Sequence, residues 1–351
     1  MSKPTNRAAW LTFPQAHPFE VKEAPYTPPL ATQLVIRVAA AAINPVDHFL
    51  QSAAPPMLTS ASYPFICGSD IAGIVAEVGS SVTAFKVGDR VIALPLGFIG
   101  SGAPEGGFQE YAVVEEALTA ALPGNVGFVE GAVLPVCLVT AAAGLFQREH
   151  LGLGLPKEKA EETSRTMLIY SAATSVGCNA VQLATAAGCK VIATCSTKNF
   201  GLVRRLGASE VHDHNDADVV EKVVDAIKSA GDDFVGCLDC MGRGGALEKC
   251  SEIMEKVQNG RKFIATVLPA GMYDASIVPA GVEHNGIWGV SIMHNEVGKA
   301  ILQDFLPGAL ADGRYVSAPP AEVVGHGLES VQEAVDMIGK GVSAKKLVIT
   351  L

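Results

Sequence analysis

Two groups of small and polar residues, Ser171–Gly177 and Ser196–Asn199, have the residue types and spacing that bind phosphate groups. The first group follows an apolar run of strand length, Met167–Tyr170, and leads into Val176–Ala187, where apolar residues recur with helical spacing. A second apolar strand, Val191–Cys195, precedes the second group. A strand, a tight turn, a helix and a strand form the unit that places a diphosphate on a helix N-terminus.

The glycine fingerprint of such a unit is incomplete in this sequence. Its three glycine positions would be Ser171, Thr174 and Gly177, and only the last of them is glycine. Small side chains still let a phosphate approach the backbone, and the hydroxyls of Thr174 and Ser175 can bond to it directly. Because the pattern alone is weak, a strand–helix–strand unit without a ligand is also an open interpretation.

The end of the second strand indicates which dinucleotide would bind. An NAD site usually has Asp or Glu there, about 20 residues after the glycine turn, to hold the ribose 2′-hydroxyl. The strand here ends in Thr194-Cys195-Ser196-Thr197-Lys198-Asn199, which contains no carboxylate. Ser196 and Lys198 can instead bind a 2′-phosphate through a hydrogen bond and a charge. The sequence therefore favours NADPH, although Lys198 is also explained as a solvated residue at a helix start.

Length and composition limit the class of protein and its partners. The chain of 351 residues is long enough for two domains, and 49% hydrophobic with 18% charged residues is typical of a well-packed globular protein. A net charge of −10 argues against nucleic acid or an anionic membrane as the main partner. The sequence shows neither a run of about 20 apolar residues nor a signal-peptide core, so we expect a cytoplasmic protein with no membrane partner.

The pair Cys237-x-x-Cys240, two of the eight cysteines, has the spacing of a metal or redox motif. It lies inside an apolar strand, Phe234–Cys240, where residues three apart face opposite sides. No second pair stands nearby in the sequence. We therefore expect these cysteines to be small buried hydrophobic residues and not a zinc site.

Residues 1–125 contain the short, glycine-punctuated apolar runs of an antiparallel, barrel-like domain. Pro45 suits a first helical position, so a short helix is expected over Val46–Gln51. A Gly/Pro-rich loop is expected over Leu94–Glu105. The predicted strands are Leu34–Ile43, Asp70–Val78, Gly88–Ile92, Gly106–Val114 and Leu118–Leu122.

From about Phe128 onward, helix and strand patterns alternate, which predicts a parallel sheet covered on both faces. A polar segment, His150–Thr163, separates the first helix from the first strand. The predicted helices are Leu138–Phe146, Val176–Ala187, Phe200–Leu206, Asp218–Ser229, Ala246–Lys256, Val297–Leu310 and Leu328–Ile338. The predicted strands are Met167–Tyr170, Val191–Cys195, Glu210–His212, Phe234–Cys240, Lys262–Leu268, Ile287–Met293 and Lys346–Thr350.

Several short motifs, taken in their order and spacing, resemble one protein family over nearly the whole chain. They are Ala42-Ile43-Asn44-Pro45-Val46-Asp47, Gly68-Ser69-Asp70-Ile71-Ala72-Gly73, Val87-Gly88-Asp89-Arg90-Val91, Gly107-Phe108-Gln109-Glu110-Tyr111, Thr140-Ala141, the Ser171–Gly177 turn and Leu238-Asp239-Cys240-Met241-Gly242. The chain resembles the medium-chain dehydrogenase/reductase superfamily, in its zinc-free, quinone-reductase-like branch. It is most similar to the fungal trans-acting enoyl reductases of polyketide biosynthesis, of the lovastatin enoyl reductase type. That closer similarity is carried by Ala193-Thr194-Cys195-Ser196, by Lys198-Asn199-Phe200 and by the insertion after Leu151.

This resemblance implies an α/β architecture with two domains. A GroES-like, β-barrel-type catalytic and substrate domain would comprise residues 1–125 and 311–351. A doubly wound Rossmann domain that binds NADPH would comprise residues 126–310.

The resemblance also implies contacts for the cofactor and the substrate, position by position. Thr140 and His48 would act in catalysis. The cofactor contacts would be Asn44, Val46, Asp47, His48, Phe49, Thr140, Thr174, Ser175, Val176, Gly177, Ser196, Thr197, Lys198, Asn199, Phe200, His214, Met241, Gly242, Ala344 and Lys345. The substrate contacts would be Ala141, Gly144, Leu145, Phe146, Leu268, Pro269, Gly271 and Met272.

We expect no metal. Zinc members of the superfamily have Gly-His-Glu where this chain has Gly68-Ser69-Asp70. Ser69 is a poor zinc ligand, and Asp70 alone cannot form a site. Without a Lewis acid, hydrogen-bond donors aimed at the substrate carbonyl oxygen, and the geometry of binding, must lower the barrier.

Two positions depart from the family pattern. Relatives often have Lys or Tyr at the position of Phe49, where a polar side chain helps to protonate or orient the substrate. His48 or a water would have to serve here, or no side-chain acid exists. His214 replaces a tyrosine near the adenosine and can add positive charge near a phosphate. Neutral sequence drift explains these two changes about as well as a functional role does.

Three functions are compatible with these observations. The leading one is NADPH-dependent reduction of a carrier-bound enoyl thioester, with a polyketide synthase as partner. The alternatives are a free-standing quinone or enone reductase for small molecules and a protein that binds NADPH without turnover. A monomer is favoured over a homodimer joined through the edge strand expected at Ile287–Met293.

Overall fold

The computed structural model describes residues 4–53, 63–97, 99, 103–157, 163–231 and 233–351. Residues 1–136 together with 306–351 form a first compact unit, and residues 137–305 form a second. Each unit has its own buried core. Parts of the expected loop Leu94–Glu105 and of the expected polar segment His150–Thr163 lie outside the described residues.

The helices and strands follow in chain order. Before the second unit they are β1 (Asn6–Leu11), β2 (Glu20–Ala24), β3 (Gln33–Ala42), α1 (Pro45–Ala53), β4 (Phe65–Ile66), β5 (Asp70–Val78), β6 (Arg90–Ala93), β7 (Tyr111–Glu115), β8 (Thr119–Ala121) and α2 (Phe128–Gly131). The next are α3 (Pro135–Phe146), β9 (Thr166–Tyr170), α4 (Ser175–Ala186), β10 (Lys190–Cys195), α5 (Phe200–Arg205), β11 (Glu210–Asp213), α6 (Val219–Ala230), β12 (Phe234–Asp239), α7 (Ala246–Lys256), β13 (Phe263–Thr266), β14 (Glu283–Gly286) and α8 (Glu296–Lys299). A π-helical segment, Ala300–Phe305, leads from α8 into α9 (Leu306–Ala311), and β15 (Ala321–His326), α10 (Val331–Gly339) and β16 (Lys346–Thr350) complete the chain.

The main sheet of the first unit is built around β3, whose ten residues are almost all buried. Its order is β15-β16-β3-β5-β6-β8, and β7 also pairs with β3. Neighbouring strands are antiparallel except β15 and β16. Because β5 and β16 both run antiparallel to β3, the first residues of both strands, Asp70 and Lys346, lie beside the end of β3. The predicted antiparallel domain is confirmed.

The second unit contains a six-stranded parallel sheet of order β11-β10-β9-β12-β13-β14. In β9, Leu168 and Tyr170 pack against α6 and α7, while the alternating Met167 and Ile169 are fully buried as well. Both faces of the sheet are therefore covered, as predicted. The chain leaves β9 toward β10 on one side and later resumes at β12 on the other, so the strand order reverses between β9 and β12. Ligands of open α/β sheets bind at the carboxyl ends of the strands beside such a reversal.

The predicted strand over Ile287–Met293 is wrong. The edge strand is β14, four residues earlier, and its sequence Glu-His-Asn-Gly has no apolar pattern. A 3₁₀ helix, Gly289–His294, follows it. Ile287, Val290 and Ile292 are buried from this irregular segment, which explains their apolar character. The edge strand suggested for a homodimer is therefore absent from Ile287–Met293 itself.

One helical stretch, Phe128–Phe146, is long and apolar enough to cross a membrane by length and composition. However, 72% of its most apolar window is buried inside the protein. Such burial is the pattern of a core helix, since a membrane span would expose its apolar side chains.

Candidate functional site

The N-terminus of α4 lies at the carboxyl end of β9, beside the reversal of strand order. Thr174 caps the helix: its Oγ1 accepts a hydrogen bond from the Gly177 N–H at 3.0 Å and donates to the Cys240 carbonyl at 3.2 Å. The first turn contains no acidic residue, and Ser175 and Val176 are only partly buried. The positive end of a twelve-residue helix is thus accessible to an anion.

The turn before α4 has the geometry of a glycine fingerprint although two of its glycines are missing. Ser171 has φ 62°, in the left-handed region that favours glycine. A Cβ at Gly177 would lie 2.5 Å from the Ala172 Cα, so the helix approaches the strand as closely as only glycine permits. The fingerprint is therefore degraded in sequence but preserved in backbone shape.

The segment after β10 contains a hydroxyl, Ser196, and a cation, Lys198, two residues apart in sequence. The Ser196 Oγ and the His214 Nε2 are 3.1 Å apart. Burial lowers the pKa of His214, with Asp213 acting in the opposite direction, so its imidazole is neutral at pH 7. Lys198 and Thr197 are exposed, and Lys198 forms no ion pair within the part of the chain that the structure describes.

Asp213 is a carboxylate near this segment that the sequence did not point to. It ends β11 and pairs in register with Cys195 at the end of β10. Its Oδ1 accepts hydrogen bonds from the Asn215 backbone N–H at 2.9 Å and the Asn215 Nδ2 at 2.8 Å, which lowers its pKa. The residues at the end of β10 do not reveal Asp213, because the pairing of β11 with β10 brings Asp213 beside that end. On the other side of this segment, Asn199 and Phe200 are partly buried.

The loop after β12 is held by a buried carboxylate. The Asp239 Oδ1 accepts from the backbone N–H groups of Met241 and Gly242, each at 3.0 Å, and its Oδ2 accepts from the Thr266 hydroxyl at 2.9 Å. Gly242 has φ 68°, and a Cβ there would lie 2.4 Å from the Leu268 Cγ. Asp239, for which no role was predicted, thus holds two predicted contacts, Met241 and Gly242, and a third, Leu268, lies against Gly242. The available signal was an Asp that ends an apolar strand just before a Met-Gly turn.

The predicted substrate residues fall into two groups. Those on α3 are buried, and Gly144 faces Ile287 and Leu238 so closely that a Cβ would lie 2.6 Å from the Ile287 Cδ1. The others lie on the loop after β13, where Leu268 and Pro269 are partly buried and Gly271 and Met272 are exposed. The buried α3 residues are Ala141, Gly144, Leu145 and Phe146. Thr140 is partly buried and packs against Gly289.

In the first unit, two of the predicted cofactor contacts, Asn44 and Asp47, are buried. The Asp47 carboxylate accepts hydrogen bonds from the backbone N–H groups of Asn44 at 2.8 Å and Gly68 at 3.1 Å. Burial raises the pKa of Asp47 to about 7, while these N–H groups and Lys346 act to lower it. The Asp47 carboxylate thus holds the turn before α1.

The other predicted contacts of α1 are more accessible. Val46, His48 and Phe49 are partly buried. The His48 ring lies against Gly339 of α10, where a Cβ would be 2.5 Å from the His48 Nε2. His48 is therefore packed between two helices, and it is the imidazole available on this face of α1.

Two of the last predicted contacts, Ala344 and Lys345, precede a buried cation. Ala344 has φ 51°, and the Lys345 ammonium pairs with Glu322. Lys346, which the sequence did not single out, is buried: its Nζ lies 2.8 Å from the Asp70 Oδ2 and also donates to the Asn44 Oδ1. A lysine that opens an apolar strand looks like a solvated strand end, so no sequence signal marked it.

Metal-ligating side chains do not converge within the described residues: no three His, Cys, Asp or Glu side chains lie close enough together to hold an ion. Cys237 and Cys250 approach to 3.5 Å between sulfurs, and both are buried free thiols. The absence of a metal stays a prediction.

The chain's own residues fit a dinucleotide at the carboxyl edge of the parallel sheet. The left-handed Ser171, the close approach of Gly177 and the uncharged first turn of α4 leave room for a diphosphate. Ser196 and the exposed Lys198 stand at the end of the neighbouring strand, where an adenosine ribose would lie.

Comparison with known proteins extends these findings to the whole chain. Family models described as an alcohol dehydrogenase GroES-like domain and a zinc-binding dehydrogenase match residues 31–124 and 175–283. Dehydrogenase pigH of Monascus ruber is 44% identical over 99% of this chain and 100% of its own length. Trans-enoyl reductase himH of Aspergillus japonicus is 35% identical over 100% of this chain and 99% of its own. The crystal structure of CurK enoyl reductase, 21% identical, superposes with a TM-score of 0.76 over 98% of this chain and 99% of its own, which shows a shared fold. The expected fold, a GroES-like domain with a Rossmann-type sheet, is confirmed.

Proposed function

Because this chain belongs to the medium-chain dehydrogenase/reductase superfamily, we propose that it is an NADPH-dependent enoyl reductase acting on a carrier-bound polyketide intermediate. The observation that carries the proposal is the accessible N-terminus of α4 next to Ser196 and Lys198, a site for a doubly phosphorylated adenosine half. The substrate class is supported by the full-length similarity to a protein named a trans-enoyl reductase.

When bound, reduced nicotinamide supplies a hydride to the β-carbon of an activated alkene. The chain's part is binding and orientation. The first N–H groups of α4, with Thr174 at its cap, would hold the diphosphate, and Ser196 and Lys198 would hold the 2′-phosphate. Asp239 keeps the Met241–Gly242 loop in place. As negative charge grows on the substrate carbonyl oxygen, the Thr140 hydroxyl is the donor that we expect near it. His48, or a water that it holds, delivers the proton to the α-carbon.

We further propose that the reaction needs no zinc. Zinc relatives have a metal ligand set where this chain has Gly68-Ser69-Asp70. Here both carboxylate oxygens of Asp70 already accept hydrogen bonds: Oδ1 from the Val136 N–H at 2.6 Å, and Oδ2 from the Asn44 Nδ2 at 2.8 Å. The Lys346 ammonium supplies the local positive charge.

The proposed partner is a polyketide synthase, whose carrier domain presents the thioester, and the proposed oligomeric state is a monomer. An acidic carrier would need a local basic patch, because the chain as a whole has a net charge of −10. Light scattering on the purified protein measures the oligomeric state directly.

A substrate comparison tests the proposed function. The purified protein is mixed with NADPH and a carrier-bound enoyl thioester, the same acyl group on a small thiol, or a simple quinone. The proposal expects the fastest NADPH oxidation with the carrier-bound thioester. Turnover of the quinone alone would instead indicate a free-standing quinone reductase. Binding of NADPH without oxidation by any of the three would indicate a protein that binds NADPH without catalysis.

A further inference from the structure

A buried ion pair in the first unit takes no part in the hydride or proton transfer proposed above. The side chains of Lys346 and Asp70 are 3% and 0% exposed, and their charged atoms lie 2.8 Å apart. A buried ion pair gains little stability over a well-packed apolar pair, because both charges lose their hydration. A buried polar network whose atoms are all hydrogen-bonded makes the structure around it rigid.

The pair is the centre of a network that joins four segments of the first unit. Lys346 opens β16, Asp70 opens β5, Asn44 follows β3, and Val136 lies in the first turn of α3. Asp70 accepts from the Val136 N–H and the Asn44 Nδ2, while Lys346 donates to the Asn44 Oδ1. These groups meet because β5 and β16 flank β3 and both begin where β3 ends.

The network determines how the Asn44 amide is oriented. Its oxygen faces an ammonium group, which can only donate, and its nitrogen faces a carboxylate, which can only accept. The opposite orientation would place donor against donor and acceptor against acceptor. Asp47 holds the same turn from the other side through the Asn44 and Gly68 N–H groups. The turn between β3 and α1 is therefore held through both the backbone N–H and the side-chain amide of Asn44.

This turn leads directly into α1, which carries Val46, His48 and Phe49. We propose that Lys346 is a positioning residue: by holding Asp70 and Asn44, its ammonium group fixes the first turn of α1 and so the face that α1 offers to the nicotinamide ring. The role rests on the proposed function, since that function gives α1 its ligand. Lys346 itself touches neither cofactor nor substrate, because it is enclosed among its partners.

A merely structural role for the pair gives a different expectation. If the pair only stabilised the fold, removing both charges together would leave the free energy of unfolding nearly unchanged. A folded double variant would then react at the normal rate. If the pair positions α1, a folded double variant keeps its core but loses the orientation of Asn44. The double variant Asp70→Asn/Lys346→Met separates the two cases, because the new amide still accepts from the Val136 N–H yet presents an N–H to Asn44.

The test uses Lys346→Met, the double variant and Lys22→Met, a control in the same unit whose ammonium pairs with exposed Glu20. Three quantities are measured: amide hydrogen exchange over residues 44–53, the Kd for NADPH by fluorescence, and the single-turnover rate of NADPH oxidation with an enoyl thioester. In the double variant we expect exchange about 10-fold faster over 44–53, a rate about 100-fold lower and a Kd within about threefold of the unmodified protein. The control should match the unmodified protein in all three.

A double variant with unchanged exchange and rate would overturn the positioning role. If neither Lys346 variant folds, Asn44→Ala decides the matter, because it removes the amide and keeps the ion pair. This variant should reproduce the faster amide hydrogen exchange over residues 44–53. Unchanged exchange in Asn44→Ala would equally overturn the positioning role. Should the unmodified protein oxidise no NADPH with any substrate, the proposed function fails, whereas the hydrogen-exchange measurement still decides whether Lys346 orders α1.

Discussion

At the scale of single residues, buried side chains set much of the backbone geometry of the candidate site. Asp239 holds the Met241–Gly242 loop, Asp47 holds the turn before α1, and Lys346 holds Asn44. These residues are buried, and each satisfies backbone or amide groups that would otherwise be unpaired. The accessible residues, Lys198 above all, are left to bind the ligand.

The charge of Lys198 is predicted to select NADPH over NADH. In Lys198→Gln we expect the Kd for NADPH to rise about 10-fold, because a cation is lost beside the 2′-phosphate, and the Kd for NADH to change less than twofold. Nicotinamide fluorescence titration at low salt measures both constants. The matched control is Lys228→Gln, an exposed lysine of α6. Equal weakening of both nucleotides would contradict the assignment of Lys198 to the 2′-phosphate.

The buried Asp47 is predicted to make stability fall as pH rises. Burial raises its pKa in the folded protein from 3.8 to about 7. Between pH 4 and pH 7 the folded state therefore holds a proton that the unfolded state has released, so the Asp47 contribution is favourable at low pH and is lost as pH rises through 7.

The variant Asp47→Asn isolates this effect. Relative to the unmodified protein, its free energy of unfolding should increase by about 1.4 kcal/mol for each pH unit within that window. Urea unfolding at pH 5, 6 and 8 gives the comparison. Parallel pH profiles for the two proteins would show that Asp47 does not titrate in this range.

At the scale of elements, apolar periodicity predicted most strands and helices that have a buried face, although it missed the buried strands β1 and β4. The bounds of β5, α7 and β16 are the predicted ones. The missed strands are β1, β2, β4 and β15. Of these, β2 and β15 have no buried residue, so no alternating pattern marks them. The strand predicted in place of β14 began four residues too late for the same reason. The four residues of β14 are polar or small, and the apolar residues that follow them are buried from a 3₁₀ helix.

The candidate site was predictable to a similar extent. The turn at Ser171–Gly177 and the segment at Ser196–Lys198 were found because their residue types follow a strand directly. Asp213 and Lys346 were not found, because strand pairing brings each of them to its position from a different segment of the chain. Local pattern reports what a segment can form, whereas the partners of a buried charge depend on topology.

The contact between α4 and β9 is predicted to require glycine at 177. In Gly177→Ala the new Cβ would meet the Ala172 backbone at 2.5 Å, so α4 must shift away from the strand. We expect a loss of about 2 kcal/mol in the free energy of unfolding and weaker binding of both NADPH and NADH. Gly201→Ala in α5 is the control, because its Cβ would meet only the flexible end of Arg205 at 3.4 Å and a helical alanine is favoured. Equal stability of the two variants would contradict the close packing of α4 on β9.

At the scale of the whole molecule, the two units have complementary chemistry. The second unit has the accessible helix N-terminus and the segment proposed to bind the 2′-phosphate, and the first has α1, whose first turn is held by Asp47 and by the network around Lys346. Full-length similarity to pigH and himH shows that both units are kept together in relatives. The proposed function draws on residues of both units, so we predict that neither unit alone would oxidise NADPH.

Transfer of deuterium tests the central claim most directly. The protein, treated with a chelator, is mixed with an enoyl thioester and NADPH in which both C4 hydrogens are deuterium, and the product is analysed by mass spectrometry. The account predicts one deuterium at the β-carbon for each NADPH oxidised, at a rate that the chelator leaves unchanged. A product without deuterium, or activity that disappears with the chelator and returns with zinc, would contradict it.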